Sequence, residues 1–153
     1  MPPVVLANIA ALKDLVGREV AVTDWIEITQ ARIDHFAAAT DDYQWIHVDT
    51  ARAATESPFG STIAHGFLTL SLLPHFLELA MRIEGVRMGV NYGLNRLRFT
   101  APVPVGAKLR ARFTLAKLEQ IEGGVQTTWT VTVEREGSDK PACVAEWLTR
   151  RYE

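Results

Sequence analysis

Residues 67–83 read FLTLSLLPHFLELAMRI, and their periodicity decides the fold. Ser71, His75, Glu78 and Arg82 stand four, three and four residues apart, so on a helix they form one narrow polar stripe. Apart from Thr69 and Pro74, every other position is apolar. A helix apolar around most of its girth must be enclosed, and the spacing predicts a long buried helix from Phe67 to about Ile83. Pro74 removes one backbone hydrogen bond and predicts a kink within it.

The enclosure follows directly in the chain. Four stretches, Arg87–Phe99, Ala107–Leu118, Val125–Glu136 and Ala142–Tyr152, read as strands. In the second, Leu109, Ala111, Phe113 and Leu115 alternate with Lys108, Arg110, Arg112 and Thr114. In the third, Val125, Thr127, Trp129, Val131 and Val133 alternate with polar neighbours. A period of two with one apolar face marks antiparallel strands. Gly123-Gly124 and Gly137-Ser138-Asp139 supply hairpin turns. The expected fold is α+β, an antiparallel sheet wrapped around one long central helix. Upstream, Leu6–Val16 reads as a short docking helix ended by Gly17, and Glu19–Ile28 as a strand. Thr29 caps a further helix that ends near Asp41, and Asp49 caps a short one through Ala54.

The 153 residues carry 48% hydrophobic and 22% charged side chains with a net charge of −2. That length suits a single domain over residues 1–153. The charge excludes the basic excess of a nucleic-acid binder. Cys143 is the one cysteine, so neither an internal disulfide nor a four-cysteine zinc module can form. Residues 57–77 lack charge over a span long enough for a bilayer. Pro58, Gly60, His65, Gly66 and Pro74 interrupt the run, so a buried helix is expected there in place of a membrane span. The N-terminus lacks the basic start of a signal peptide. A cytoplasmic protein is the expectation.

Chemistry concentrates in Asp42-Tyr43-Gln44-Trp45-Ile46-His47-Val48-Asp49 and Ile63-Ala64-His65-Gly66. Asp42 and His47, five apart, can converge on one water, with Asp42 accepting a proton and His47 donating one. Gly66 opens the buried helix, where free N–H groups stabilise an oxygen gaining negative charge. This set suits water addition to a conjugated carbonyl compound. The plainer alternative makes Asp42 and His47 turn and cap residues, and His65 a structural residue satisfying backbone groups. Asp42, His47, Asp49 and His65 could offer metal ligands but match no zinc spacing, so no metal is expected. His35 and His75 read as surface residues. Tryptophans and phenylalanines are core material by default.

The order Asp42-x4-His47-x-Asp49, then Pro58-Phe59-Gly60, then Ile63-Ala64-His65-Gly66-Phe67, resembles the MaoC-like dehydratase family of (R)-specific enoyl-CoA hydratases. Residues 91–99, NYGLNRLRF, followed by Pro102-Val103-Pro104-Val105-Gly106, are similar to its nodulation-protein-N-like branch. The resemblance spans residues 25 to 152. It implies a hot-dog fold and a homodimer joined at sheet edges. It also implies syn addition of water to a trans-2-enoyl-CoA, giving an (R)-3-hydroxyacyl-CoA, without cofactor. By the same resemblance Asp42 is the catalytic acid, His47 the catalytic histidine and the Gly66 N–H the oxyanion donor. Gln44 and Trp45 stand where many relatives have Asn-Pro. Gln44 and His65 are expected at the substrate, and Arg96 and Arg98 are candidate cations for the CoA phosphates. For Lys108, Arg110 and Arg112 a solvated strand face is the favoured reading. A hot-dog thioesterase and a non-catalytic acyl-thioester binding protein are the alternatives.

Overall fold

The computed structural model describes residues 2–153. A six-stranded antiparallel sheet is ordered β2-β6-β7-β8-β5, with β3 also pairing β6. The strands are β2 (Glu19–Val22), β3 (Ile26–Glu27), β5 (Met88–Arg98), β6 (Lys108–Ile121), β7 (Gly124–Arg135) and β8 (Cys143–Tyr152). The alternation read in the sequence holds. Leu109, Ala111, Phe113 and Leu115 of β6 and Val125, Trp129, Val131 and Val133 of β7 are buried against the helices. Phe113 and Trp129 meet edge to face at 6.0 Å. Gly124 is fixed by close approach, since a Cβ there would stand 1.9 Å from the Arg151 carbonyl oxygen on β8.

The central helix differs from expectation in three ways. It divides into α4 (Gly66–Ser71) and α5 (Leu73–Ala80) at Leu72. Pro74 has no N–H to continue the ladder and stands in the first turn of α5, where none is needed, so the kink becomes a break. Residues after Ala80 leave the helix altogether. Met81–Ile83 is a strand, β4, paired in parallel with β1 (Val4–Leu6). Its burial alternates, Met81 and Ile83 inward and Arg82 outward, so the local period is two. Enclosure is also incomplete, because Phe67 is 65% and Leu79 40% exposed. The packed side, led by Leu68, Leu72, Leu73, Phe76 and Leu77, lies in the core.

The start of the chain is corrected similarly. A 3-10 helix over Ile9–Leu15 begins after Asn8, whose Oδ1 accepts the Ala11 N–H at 3.0 Å, while Leu6 belongs to β1. The strand expected over Glu19–Ile28 splits into β2 and β3. At the break the Thr23 hydroxyl accepts the Ala111 N–H at 3.0 Å, standing in for a ladder carbonyl. The capped helices are as expected: α1 (Gln30–Thr40) behind Thr29, and α3 (Thr50–Glu56) behind Asp49. Between them lies a single turn, α2 (Trp45–Val48). No described helix is long and apolar enough to cross a membrane.

Candidate active site

The end of α1 sets the position of the acid. Asp41 adopts a left-handed conformation, φ 58°, tolerated by aspartate at a cost of about 1–2 kcal/mol. The turn lets the Asp42 N–H donate to the Ala37 carbonyl at 3.2 Å and leaves the Asp42 carboxylate half-exposed. Its Oδ1 accepts the Gln44 N–H at 3.3 Å, which starts α2. One turn of α2 then carries His47 inward, where it is 7% exposed.

His47 is held from two sides. Its Nδ1 lies 2.7 Å from the Ile63 carbonyl oxygen, an acceptor only, so Nδ1 carries the proton. Nε2 of the neutral ring therefore keeps its lone pair. Burial pushes the His47 pKa below its ordinary value, and the Ile63 contact only partly offsets that. Gln30 clamps the backbone around it, its Nε2 donating to the His47 carbonyl at 2.8 Å while its Oε1 accepts from the buried Thr62 hydroxyl. Gln44 is expected at the substrate from the sequence, whereas the side chain that holds the His47 backbone is Gln30. Gln44 is exposed and makes no side-chain cap bond to α2.

His65 packs directly behind. Its ring stacks on His47 at 3.9 Å between centroids and tilts against Phe36 at 4.9 Å. Nε2 donates to the Asp42 backbone carbonyl at 3.0 Å, tying the acid's loop to the start of α4. The geometry matches the structural alternative for His65, which is 3% exposed. One carboxylate oxygen of Asp42 and one ring nitrogen each of His47 and His65 lie within 4.8 Å of one another. Two ring nitrogens of this trio are already committed to backbone carbonyls. Asp49, the fourth residue of the sequence cluster, instead caps α3 by accepting the Arg52 N–H at 3.0 Å.

Gly66 follows His65 and opens α4; the His65 carbonyl accepts from the Leu68 and Thr69 N–H groups at 3.0 and 3.3 Å, while the helix supplies no acceptor for the Gly66 N–H. It lines a cavity of about 350 Å³ with Phe59, Thr69, Phe99 and Val103. A Cβ on Gly66 would stand 2.8 Å from the Phe99 ring, so glycine is what lets Phe99 approach. Phe59, Phe67 and Phe99 are 44%, 65% and 44% exposed. Expected in the core, they instead form an aromatic rim beside Gly66, because the edge of the sheet leaves them uncovered.

Arg96 and Arg98 are not brought to this cavity. Both are exposed on β5, opposite Glu146 and Val144 of β8, on the face turned away from the helices. Arg110 and Arg112 pair with Glu134 and Glu19 on the outer face, at 2.6 and 2.9 Å, which is the solvated-face reading. His35 and His75 are exposed, as expected.

Comparisons with known proteins agree with this architecture. Residues 12–137 match the family described as MaoC like domain. The chain is 51% identical over 144 residues to 3-hydroxyacyl-thioester dehydratase Z of Mycobacterium tuberculosis (strain H37Rv), covering 94% of this chain and 95% of that protein. It is 48% identical to Nodulation protein N of Rhizobium leguminosarum bv. viciae, covering 93% and 89%. Among solved structures, the (R)-hydratase from A. caviae superposes with a TM-score of 0.71 at 27% identity, covering 88% and 94%. The sheet wrapped on α4 and α5 is thus the hot-dog fold, and the chain belongs to the MaoC-like dehydratase family.

Proposed function

We propose that the protein catalyses reversible syn hydration of a trans-2-enoyl-CoA to an (R)-3-hydroxyacyl-CoA. The observation that carries this reading is the convergence of the Asp42 carboxylate and the buried His47 ring, which stacks on His65, the residue before Gly66. One water sits between Asp42 and the bare Nε2 of His47. Nε2 takes a proton from that water as its oxygen bonds to C3. The C2–C3 π electrons shift toward the thioester, and the Gly66 N–H stabilises the resulting enolate oxygen. The imidazolium returns its proton to C2 from the same side, so one water is added and the ring is again neutral. Asp42 orients the water by accepting a hydrogen bond from its other O–H, and that hydrogen stays on the oxygen as the product hydroxyl.

This assigns proton acceptance to His47, where the sequence suggested Asp42. Burial of His47 and the Nδ1 bond to Ile63 favour a neutral ring with an accepting Nε2. The thioester is the electron sink, so the proposed route uses no metal or redox cofactor. Since α4 spans only Gly66–Ser71, the oxyanion is stabilised by the local N–H more than by a helix dipole. Mixing the purified protein with crotonyl-CoA should bleach the conjugated thioester and give the (R)-hydroxy product. Release of free thiol, or saturable binding without product, would overturn the reading in favour of hydrolysis or of simple binding.

A homodimer belongs to the same proposal. Strand β5 ends the sheet order, and Met88, Val90, Tyr92 and Leu94 along it are each at least 37% exposed. A long, apolar, unpaired edge invites pairing with a second copy. Pairing there also presents Arg96 and Arg98 beside the neighbour for CoA phosphates. Sedimentation equilibrium should give twice the chain mass, and a monomer at micromolar concentration would refute edge pairing.

A further inference from the structure

We propose that the cavity between α5 and β5 is a binding site for a carboxylate carried on an apolar chain, with the Arg151 guanidinium as its anchor. Along β8 the residues facing the helices are Cys143, Ala145, Trp147 and Thr149, all buried, and the same parity turns Arg151 inward. An inward arginine in a hot-dog interior calls for a counter-charge. None is supplied by the chain: among the described residues Arg151 forms no ion pair, and its Nε is sealed from solvent without a hydrogen-bond partner. Burial lowers its pKa from the ordinary arginine value.

The surroundings say what the missing anion is attached to. Arg151 lines a cavity of about 730 Å³ together with the apolar Leu77, Met81, Ile83, Val86 and Trp147, and with Glu78, Arg82 and Arg150. Small-molecule sites have this make-up and run to about 300–1,000 Å³. The other charged side chains on the cavity are engaged or outward. Arg82 pairs with Glu84 at 2.8 Å, and Arg150 stacks on Tyr92 at 3.6 Å and donates to Gln126. Glu78 is exposed and makes no ion pair with Arg151. A carboxylate matches the planar fork of a guanidinium in two parallel hydrogen bonds. The inward direction of Arg151 favours a ligand entering the cavity over a side chain from a second copy at the sheet edge.

Two sources share this chemistry: a free fatty acid, or the carboxylated far end of an acyl thioester. Only the second rests on the hydratase reading. Calorimetric titration of the full chain with octanoate and with octanamide, which has the same chain but no charge, tests the site without turnover. Octanoate should bind about 10-fold to 100-fold more tightly, the worth of a charge-assisted hydrogen bond. In Arg151→Gln that preference should vanish while octanamide binding stays. The variant should also unfold at the same or a higher temperature, because a half-buried guanidinium without an ion pair has been removed. Equal affinity for the two probes in the parent, no binding of octanoate, or a preference that survives in the variant would each overturn the site. A lower KM for an enoyl thioester ending in carboxylate than for its methyl-ended counterpart, lost in Arg151→Gln, identifies the thioester as the source. Equal KM values identify the free acid.

Discussion

Replacing His47 with glutamine should reduce crotonyl-CoA hydration by about 10²–10⁴-fold, the usual worth of a positioned acid–base group. Glutamine can still donate to the Ile63 carbonyl that Nδ1 now contacts at 2.7 Å, but it offers no basic lone pair. The loss should fall on kcat, with KM little changed, because the group acts on the water and not on substrate binding. Asp42→Asn should cost less, since an amide oxygen can still accept from the water. The parent's pH profile carries the same assignment. His47 must be neutral to accept a proton, and burial lowers its pKa, so the acid limb should lie below its ordinary value of about 6.5. An acid limb above that value, or unchanged turnover in His47→Gln, would remove His47 as the base.

The same shift gives a stability signature. The unfolded chain protonates His47 near pH 6.5, whereas the folded chain resists until lower pH. Between those values the unfolded state binds more protons, so stability is fully held above about pH 6.5 and declines as pH falls toward the lowered native value. Melting temperatures recorded from pH 7.5 downward should show that decline in the parent and a weaker one in His47→Gln.

The reach of the sequence follows the range of the interactions that decide each feature. Alternation in β6 and β7 is a local pattern, and Leu109 to Leu115 and Val125 to Val133 face inward as their spacing says. Asp42, His47 and Gly66 were visible through their order in the chain. What escaped depends on distant partners. The tautomer of His47 is set by Ile63, sixteen residues away, and its backbone by Gln30, seventeen away. Nothing in the neighbourhood of Gln30 marks it, because a glutamine at the start of a helix is ordinary. Met81–Ile83 continued a helical stripe on paper, but pairing with Val4–Leu6 from the other end of the chain makes it a strand. Phe59, Phe67 and Phe99 were assigned to the core on composition, yet cover at the sheet edge is a property of topology.

Phe76→Ala should be the most damaging of the core substitutions on α5. Its side chain is 0% exposed and sits where the second half of the broken helix meets the sheet. Removing a buried phenylalanine costs about 3–5 kcal/mol, a large share of the roughly 5–15 kcal/mol that holds a domain together. At about 2–4 °C per kcal/mol for a chain of this size, the melting temperature should fall by roughly 6–20 °C. Leu79, three residues further on and 40% exposed, provides the control, and Leu79→Ala should change stability by no more than about 0.5 kcal/mol. Were the central helix enclosed all round, as its composition suggested, the two losses would be similar. The contrast with His47→Gln separates two demands on this fold. That variant should lose turnover with little change in melting, because Gly66 and Asp42 keep their places. Phe76→Ala should lose stability first and turnover only as α5 loosens, since α5 is joined through Leu72 to α4, whose first residue is Gly66.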